Sequence, residues 1–180
     1  MEEEITGLIV EAMREKLKDT AIPERFYERY SVGEEKLLAV EGRTGKYRRR
    51  LDIVVESNSP REVRPEYIFE AKRLRKNGYP IGEYVGKDGL QCFIKGVYAS
   101  QYPEAAMIGY DQSGDTSHWE TELKRSFDID RHSDLRIKQL LQRVQVLPSM
   151  SDVWASEHER EEHDSIIVYH IFLNCSATSA

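Results

Sequence analysis

Asp52, Glu70 and Lys72 are the residues whose types and spacing come closest to chemistry. Side chains alternate along a strand, so in RRRLDIVVE Arg48, Arg50, Asp52, Val54 and Glu56 share one side, and Arg49, Leu51, Ile53 and Val55 the other. In EYIFEAKR, Ile68, Glu70 and Lys72 point together while Phe69 and Ala71 point the opposite way. If the two strands are neighbours, Asp52, Glu70 and Lys72 converge. Two carboxylates among apolar strand residues are costly unless their charge is compensated, and a divalent cation would do so. Magnesium takes oxygen ligands, needs only one or two protein carboxylates, and is completed by water and substrate phosphate. Lys72 would then position or activate the attacking water, and the parts together describe a phosphodiester hydrolase. A plain ion pair on a sheet face, Glu70 and Lys72 neutralising each other, fits the same spacing.

The elements that must position these groups are read from periodicity. Ile5, Leu8, Ile9, Ala12, Met13 and Leu17 have the spacing of an amphipathic helix over residues 3 to 18, which Ala21-Ile22-Pro23 ends before a short helical turn at 25–30. Two strands follow, 37–41 and 47–56, joined by Gly42-Arg43-Thr44-Gly45, then a loop at 57–65 and a third strand over 66–73. The glycines and proline between 78 and 86 predict an irregular stretch. A helix over 89–99 and a short apolar strand at 105–110, central because it shows no polar alternation, come next. Ser117 and Glu120 have capping-box spacing for a helix through Phe127. Leu135, Ile137, Leu140 and Leu141 predict a further helix over 133–142. A hairpin of strands 153–158 and 166–173, turning through 160–164, closes the chain.

LDIVV, a loop, then IFEAKRL is similar to the PD-(D/E)xK nuclease signature, with Asp52, Glu70 and Lys72 at the matching positions and eighteen residues from Asp to Glu. Helix, three strands, helix and strand over residues 3 to 110 also resembles the family's αβββαβ core. Leu51 stands where the family nominally has proline. The resemblance implies an α/β fold of the restriction-endonuclease-like class: a mixed central sheet flanked by helices, here with a C-terminal strand hairpin. It implies Mg2+ or Mn2+ held by Asp52, Glu70 and the Ala71 carbonyl, and hydrolysis of DNA phosphodiester bonds, RNA being the other candidate substrate. The first helix often adds a carboxylate, for which Glu11 and Glu15 both stand as candidates. In RecB-like branches a Gln and a Tyr on the helix after Glu-x-Lys approach the site. Gln91, with Lys95 one turn on, could do so here, although a plain polar helix face fits the same spacing. Small relatives tend to dimerise or join larger complexes in restriction, repair or antiviral defence. A catalytically silent subunit that binds nucleic acid or a protein is the competing reading.

Charge distribution accompanies this motif. The chain carries a net −6, yet residues 43 to 76 hold eleven Lys or Arg against five Asp or Glu. Arg48, Arg50, Arg73, Arg75 and Lys76 are the candidates for gripping backbone phosphates, which attract cations whatever the base sequence. Tyr47, Tyr67, Tyr79 and Tyr84 could stack on unpaired bases, though ten tyrosines in 180 residues leave room for ordinary packing.

At 180 residues, 39% hydrophobic and 32% charged, the chain has the composition of a globular domain, expected over 1–175 with a polar tail at 176–180. The run Ile166 to Leu173 is too short to span a bilayer. The acidic start MEEEITGLIV is unlike a secretory signal, so the expected location is cytoplasmic. Cys92 and Cys175 are expected to be reduced residues in apolar segments. His158-Glu-Arg-Glu-Glu-His163 fails the HExxH pattern and reads as a solvated turn, and Gly42-Arg-Thr-Gly-Lys46 lacks the spacing of a phosphate loop. His170 is expected to be a core or near-site histidine.

Overall fold

A computed structural model describes residues 2–18, 29–38, 50–58, 66–129, 134–146, 148, 150 and 152–176. The chain divides into two compact units, Met1–Glu70 and Ala71–Ala180, the division falling within one strand. Among the described residues strands outweigh helices, and the class is α/β.

The first unit holds α1 (Glu2–Leu17), β1 (Tyr30–Leu37), β2 (Arg50–Ser57) and the start of β3 (Glu66–Arg75). β1 runs antiparallel to β2, from Tyr30 opposite Ser57 to Leu37 opposite Arg50. β2 runs antiparallel to β3, from Glu56 opposite Glu66 to Ile53 opposite Phe69. The β-branched run Ile53-Val54-Val55 suits this pleated position, with Ile53 and Val54 fully buried. In α1 the buried positions are Thr6 and Val10, with Met13 and Leu17 half-buried on the same face. Of the expected stripe, Ile5, Ile9, Met13 and Leu17 are half-buried, while Ala12 and Leu8, the latter 66% exposed, are turned away. Arg14 Nε donates to Val32 O at 3.1 Å, which fixes the helix along β1 through a backbone carbonyl rather than through the leucine. The first strand expected at 37–41 is instead β1, seven residues earlier in its start; residues 39–49, with their predicted reversal, and most of the 57–65 loop lie outside the described residues.

The second unit holds the rest of β3, α2 (Ile81–Val85), α3 (Leu90–Ile94), β4 (Glu104–Ser113), α4 (Thr116–Ile129), β5 (Ile137–Val144), β6 (Val153–His158) and β7 (Ile166–Asn174). Its strand order is β3-β4-β7-β6-β5. β4 and β7 are parallel, while β7–β6 and β6–β5 are antiparallel, so the sheet is mixed. β4 is buried from Ala105 to Asp111, as a strand without polar alternation should be. The β6–β7 hairpin matches its predicted strands to within a residue.

Three expectations are corrected in this unit. The helix over 133–142 is the strand β5: Val144 and Val146 continue an alternating pattern through Gln142-Arg143-Val144-Gln145-Val146, and the β6 backbone supplies its hydrogen-bond partners. The helix over 89–99 stops at Ile94, because the chain turns left-handed at Gly96 (φ +65°) and Ala99 (φ +52°). α4 is capped by Asp115, whose Oδ1 accepts the His118 N–H at 2.7 Å, two residues earlier than the Ser117 box. The stretch 78–86, expected to be irregular, contains the single turn α2.

The 159–165 turn is solvated at Glu159 and from Glu161 to Asp164, as expected, and is anchored by one buried residue. Arg160, 7% exposed, donates Nη1 to Ala99 O (2.9 Å), Nη2 to Tyr102 O (3.3 Å) and Nε to Asp164 O (2.5 Å). The His163 ring lies against Gly96, where a Cβ would meet its Cδ2 at 2.3 Å.

Candidate active site

Asp52 and Glu70 are carried by the two antiparallel strands of the first unit. The β2–β3 ladder reaches Ile53 opposite Phe69; continuing that register by one step would set Asp52 opposite Glu70. Residues directly opposite share a face, with Cβ atoms about 4.5–5.5 Å apart. On that face Val54 and Ile68 are buried at 1% and 4% exposure, forming an apolar floor beside the carboxylates. Glu70 is itself 3% exposed, and Asp52 is half-buried. Lys72 follows two positions along β3, on the same side as Glu70 by strand alternation, and is half-buried. Ala71, between them, is fully buried on the opposite side.

The spacing suits a cation with few protein ligands. Two carboxylates at a cross-strand separation can both reach one magnesium at its 2.0–2.1 Å ligand distance, roughly the number of protein ligands magnesium takes. Among the described residues no group of three or more His, Cys, Asp or Glu gathers as a metal cage.

Glu11 is exposed on α1 and borders a shallow cleft with Glu4, Leu8, Arg14 and Glu34, whose lining includes neither Asp52 nor Glu70. Glu15 borders the same cleft and pairs with Lys18 at 2.7 Å. Gln91 and Lys95 do form one stripe: Lys95 Nζ donates to Gln91 Oε1 at 3.2 Å, and Gln91 Nε2 donates to Asp134 Oδ2 at 3.4 Å. Gln91 is buried at 8% exposure and its amide is engaged in that network.

Among the basic candidates, Arg50 is exposed at the start of β2, and Arg48 lies outside the described residues, as does Tyr47. Arg73 stacks its guanidinium 3.8 Å from the centre of the Tyr79 ring, so each of these two candidates is occupied by the other. Arg75 and Lys76 are exposed, Arg75 exchanging two backbone hydrogen bonds with Tyr79. Tyr67 is 44% exposed. Tyr84 is fully buried and cannot stack on a base; its hydroxyl belongs to the core network described next.

Sequence reasoning missed this network. Tyr84, His170, Ser156 and His158 are buried at 0–2% exposure and linked in series. Tyr84 Oη lies 3.0 Å from His170 Nδ1, His170 Nε2 2.9 Å from Ser156 Oγ, Ser156 Oγ 2.7 Å from His158 Nε2, and His158 Nδ1 2.6 Å from Leu135 O. The direction of every proton follows from its end. A carbonyl only accepts, so His158 carries its proton on Nδ1 and accepts at Nε2 from Ser156. Ser156 then accepts from His170 Nε2–H, leaving Nδ1 as an acceptor toward the Tyr84 hydroxyl, whose single proton is shared with Met107 O at 3.2 Å. Burial holds His158 down to about 4 and His170 down to about 3, and pushes the Tyr84 hydroxyl well up, so the chain is neutral and fully donated. Phe127 seals it edge-on against both imidazoles. With no route for substrate to Ser156, this serine–histidine arrangement is structural. Its signal was in the hairpin register: once 153–158 and 166–173 are paired, Trp154 opposite His170 brings Ser156 and both histidines to one face.

Elsewhere in the second unit, buried Asp111 accepts from Trp119 Nε1 at 2.9 Å. Cys92 is buried, Cys175 half-buried, and both are free. No helix among the described residues is long and apolar enough to cross a membrane.

Comparison with protein-family models, with curated proteins and with solved structures found no match to the chain.

Proposed function

We propose that the chain is a divalent-metal-dependent phosphodiesterase acting on nucleic acid, with DNA as the expected substrate and a restriction-endonuclease-like core. The observation that carries this reading is the antiparallel β2–β3 register, which runs from Glu56 opposite Glu66 to Ile53 opposite Phe69 and whose continuation would set Asp52 opposite Glu70, with Lys72 two positions on. Two carboxylates on one face of neighbouring strands repel each other unless a cation lies with them. The element order α1, three strands, a helical stretch and β4 agrees with an αβββαβ core and supports the same reading.

In this mechanism Asp52 and Glu70 would hold Mg2+ or Mn2+, with the Ala71 carbonyl as a further oxygen, and the metal when bound would supply charge stabilisation at the phosphate. Lys72 orients a water in line with the phosphorus through its ammonium donors. Val54 and Ile68 exclude bulk water from the floor of the site, which strengthens each electrostatic contact. Arg50, Arg75 and Lys76 are exposed cations and the candidates to contact phosphates.

The test is cleavage of supercoiled, linear and single-stranded DNA, and of RNA, across magnesium and manganese titrations. Lys72→Ala and Glu70→Gln are each expected to lower cleavage by about 100-fold or more. Cleavage that survives Lys72→Ala removes the mechanism. No cleavage of any substrate, together with no calorimetric metal binding, replaces the enzyme with a nucleic-acid-binding or protein-binding module.

A further inference from the structure

The turn after β3 holds an Asn-Gly pair, Asn77-Gly78, between Lys76 and Tyr79. Its base is closed by two backbone bonds between Arg75 and Tyr79, at 2.9 and 3.1 Å, and by the Lys76 N–H on Ser113 Oγ at 3.0 Å. Residues 75–78 are exposed. Among the described residues no partner holds the Asn77 carboxamide, and no acceptor takes the Gly78 N–H. Glycine leaves the approach to that nitrogen open: the nearest atom to a Cβ built on Gly78 would be Arg75 Cδ, at 4.0 Å. Arg75 and Lys76 have no carboxylate partner among the described residues, unlike Lys124, Arg136, Lys138 and Arg143. Their positive charge favours the amide anion that must form before the nitrogen can attack.

We infer that Asn77 is a self-modification site, at which a neutral carboxamide becomes a carboxylate by deamidation. A base takes the Gly78 N–H proton, and the nitrogen attacks Asn77 Cγ. The bond from Cγ to the side-chain nitrogen breaks, ammonia leaves with a proton from solvent, and a cyclic succinimide closes. Water then opens either carbonyl, giving aspartate or an isoaspartate whose backbone runs through Cγ. The sum is amide plus water to acid plus ammonia, with no redox change. The chain's other asparagines lack this arrangement. Asn58 precedes Ser59 and Asn174 precedes Cys175, and Asn174 Oδ1 already accepts the Ser176 N–H at 3.0 Å. A carboxylate at position 77 stands beside Arg75 and Lys76 and offsets one of their two charges. On the nucleic-acid part of the proposed function, on which this consequence rests, the turn loses hold on phosphate as the protein ages.

Peptide mapping by mass tests the inference on the full chain, aged in mildly acidic and mildly alkaline buffer, with the urea-unfolded chain as the reference for rate. Tryptic peptide 77–87 should exchange NH for O and split into aspartate and isoaspartate forms, faster in alkali. In the folded chain it should keep within a few-fold of the unfolded rate and run ahead of the peptides holding Asn58 and Asn174. Asn77→Gln should resist. A folded chain whose 77–87 peptide stays intact while the unfolded chain converts, or aspartate formed without isoaspartate, would overturn the inference. Asn77→Asp stands for one product and should bind DNA more weakly, with a salt slope shallower by about 0.9. Equal affinity and slope would overturn the effect on phosphate. A chain that deamidates at position 77 but binds no nucleic acid removes the proposed function and leaves the modification standing.

Discussion

At the level of single residues, His158 and His170 are the groups whose charge state the fold decides. Their folded values of about 4 and about 3 lie below the ordinary histidine value of 6.5, because burial penalises the imidazolium. Between 6.5 and those values the unfolded chain binds protons that the folded chain does not, so stability rises with pH there. The contribution is fully present above 6.5 and is lost as pH falls through the window toward 4 and then 3. Thermal melts from about pH 7 to pH 4 should show a steadily falling midpoint; a midpoint that stays level would mean the imidazoles are not buried neutral. Ser156→Ala strands the His170 Nε2–H and the His158 Nε2 at once, and urea unfolding should register a loss of about 2–4 kcal/mol. Of the candidate site, Asp52, Glu70 and Lys72 were legible because strand alternation depends only on neighbouring positions. The histidine chain was not, since its members come from residues 84, 156, 158 and 170 and meet only through packing.

Elements show the same division between local and distant causes. The start of α4 distinguishes two nearby caps. Asp115→Ala should cost about 1 kcal/mol while Ser117→Ala costs a few tenths, because the His118 N–H is bonded to Asp115 Oδ1. Chemical denaturation of both variants settles which residue caps. At the end of α3, Gly96→Ala would place a Cβ at a positive φ and into the His163 ring, costing about 1 kcal/mol or more. Amide exchange should then quicken in the 159–165 turn ahead of β6 and β7, and uniform change across the hairpin would count against a local clasp. β6, β7 and β4 were readable because their apolar runs are long and bounded. β5 was misread because two adjacent leucines fit a helix face as well as a strand, and only the β6 backbone beside it resolves the ambiguity.

For the whole molecule, the net charge of −6 conceals a basic stretch, and its consequence for nucleic acid is electrostatic. If Arg50, Arg75 and Lys76 contact phosphates, affinity for DNA should fall linearly with salt on logarithmic axes, each contact contributing a slope of about −0.9. Binding isotherms at about 50 to 200 mM salt measure this, and an affinity indifferent to salt would remove the basic stretch from the interface. The amino-acid sequence by itself determined the helix α1, the strands around Asp52 and Glu70, the buried β4 and the closing hairpin, since each is written in residues within a few positions of one another. Tertiary structure alone decided which positions of α1 are buried, that 137–144 is a strand, that Tyr84 is sealed in the core, and that Ile53 stands opposite Phe69 in the β2–β3 register. Those outcomes depend on which distant backbone supplies the hydrogen bonds and which distant side chains take the place of water, and neither is encoded in local periodicity.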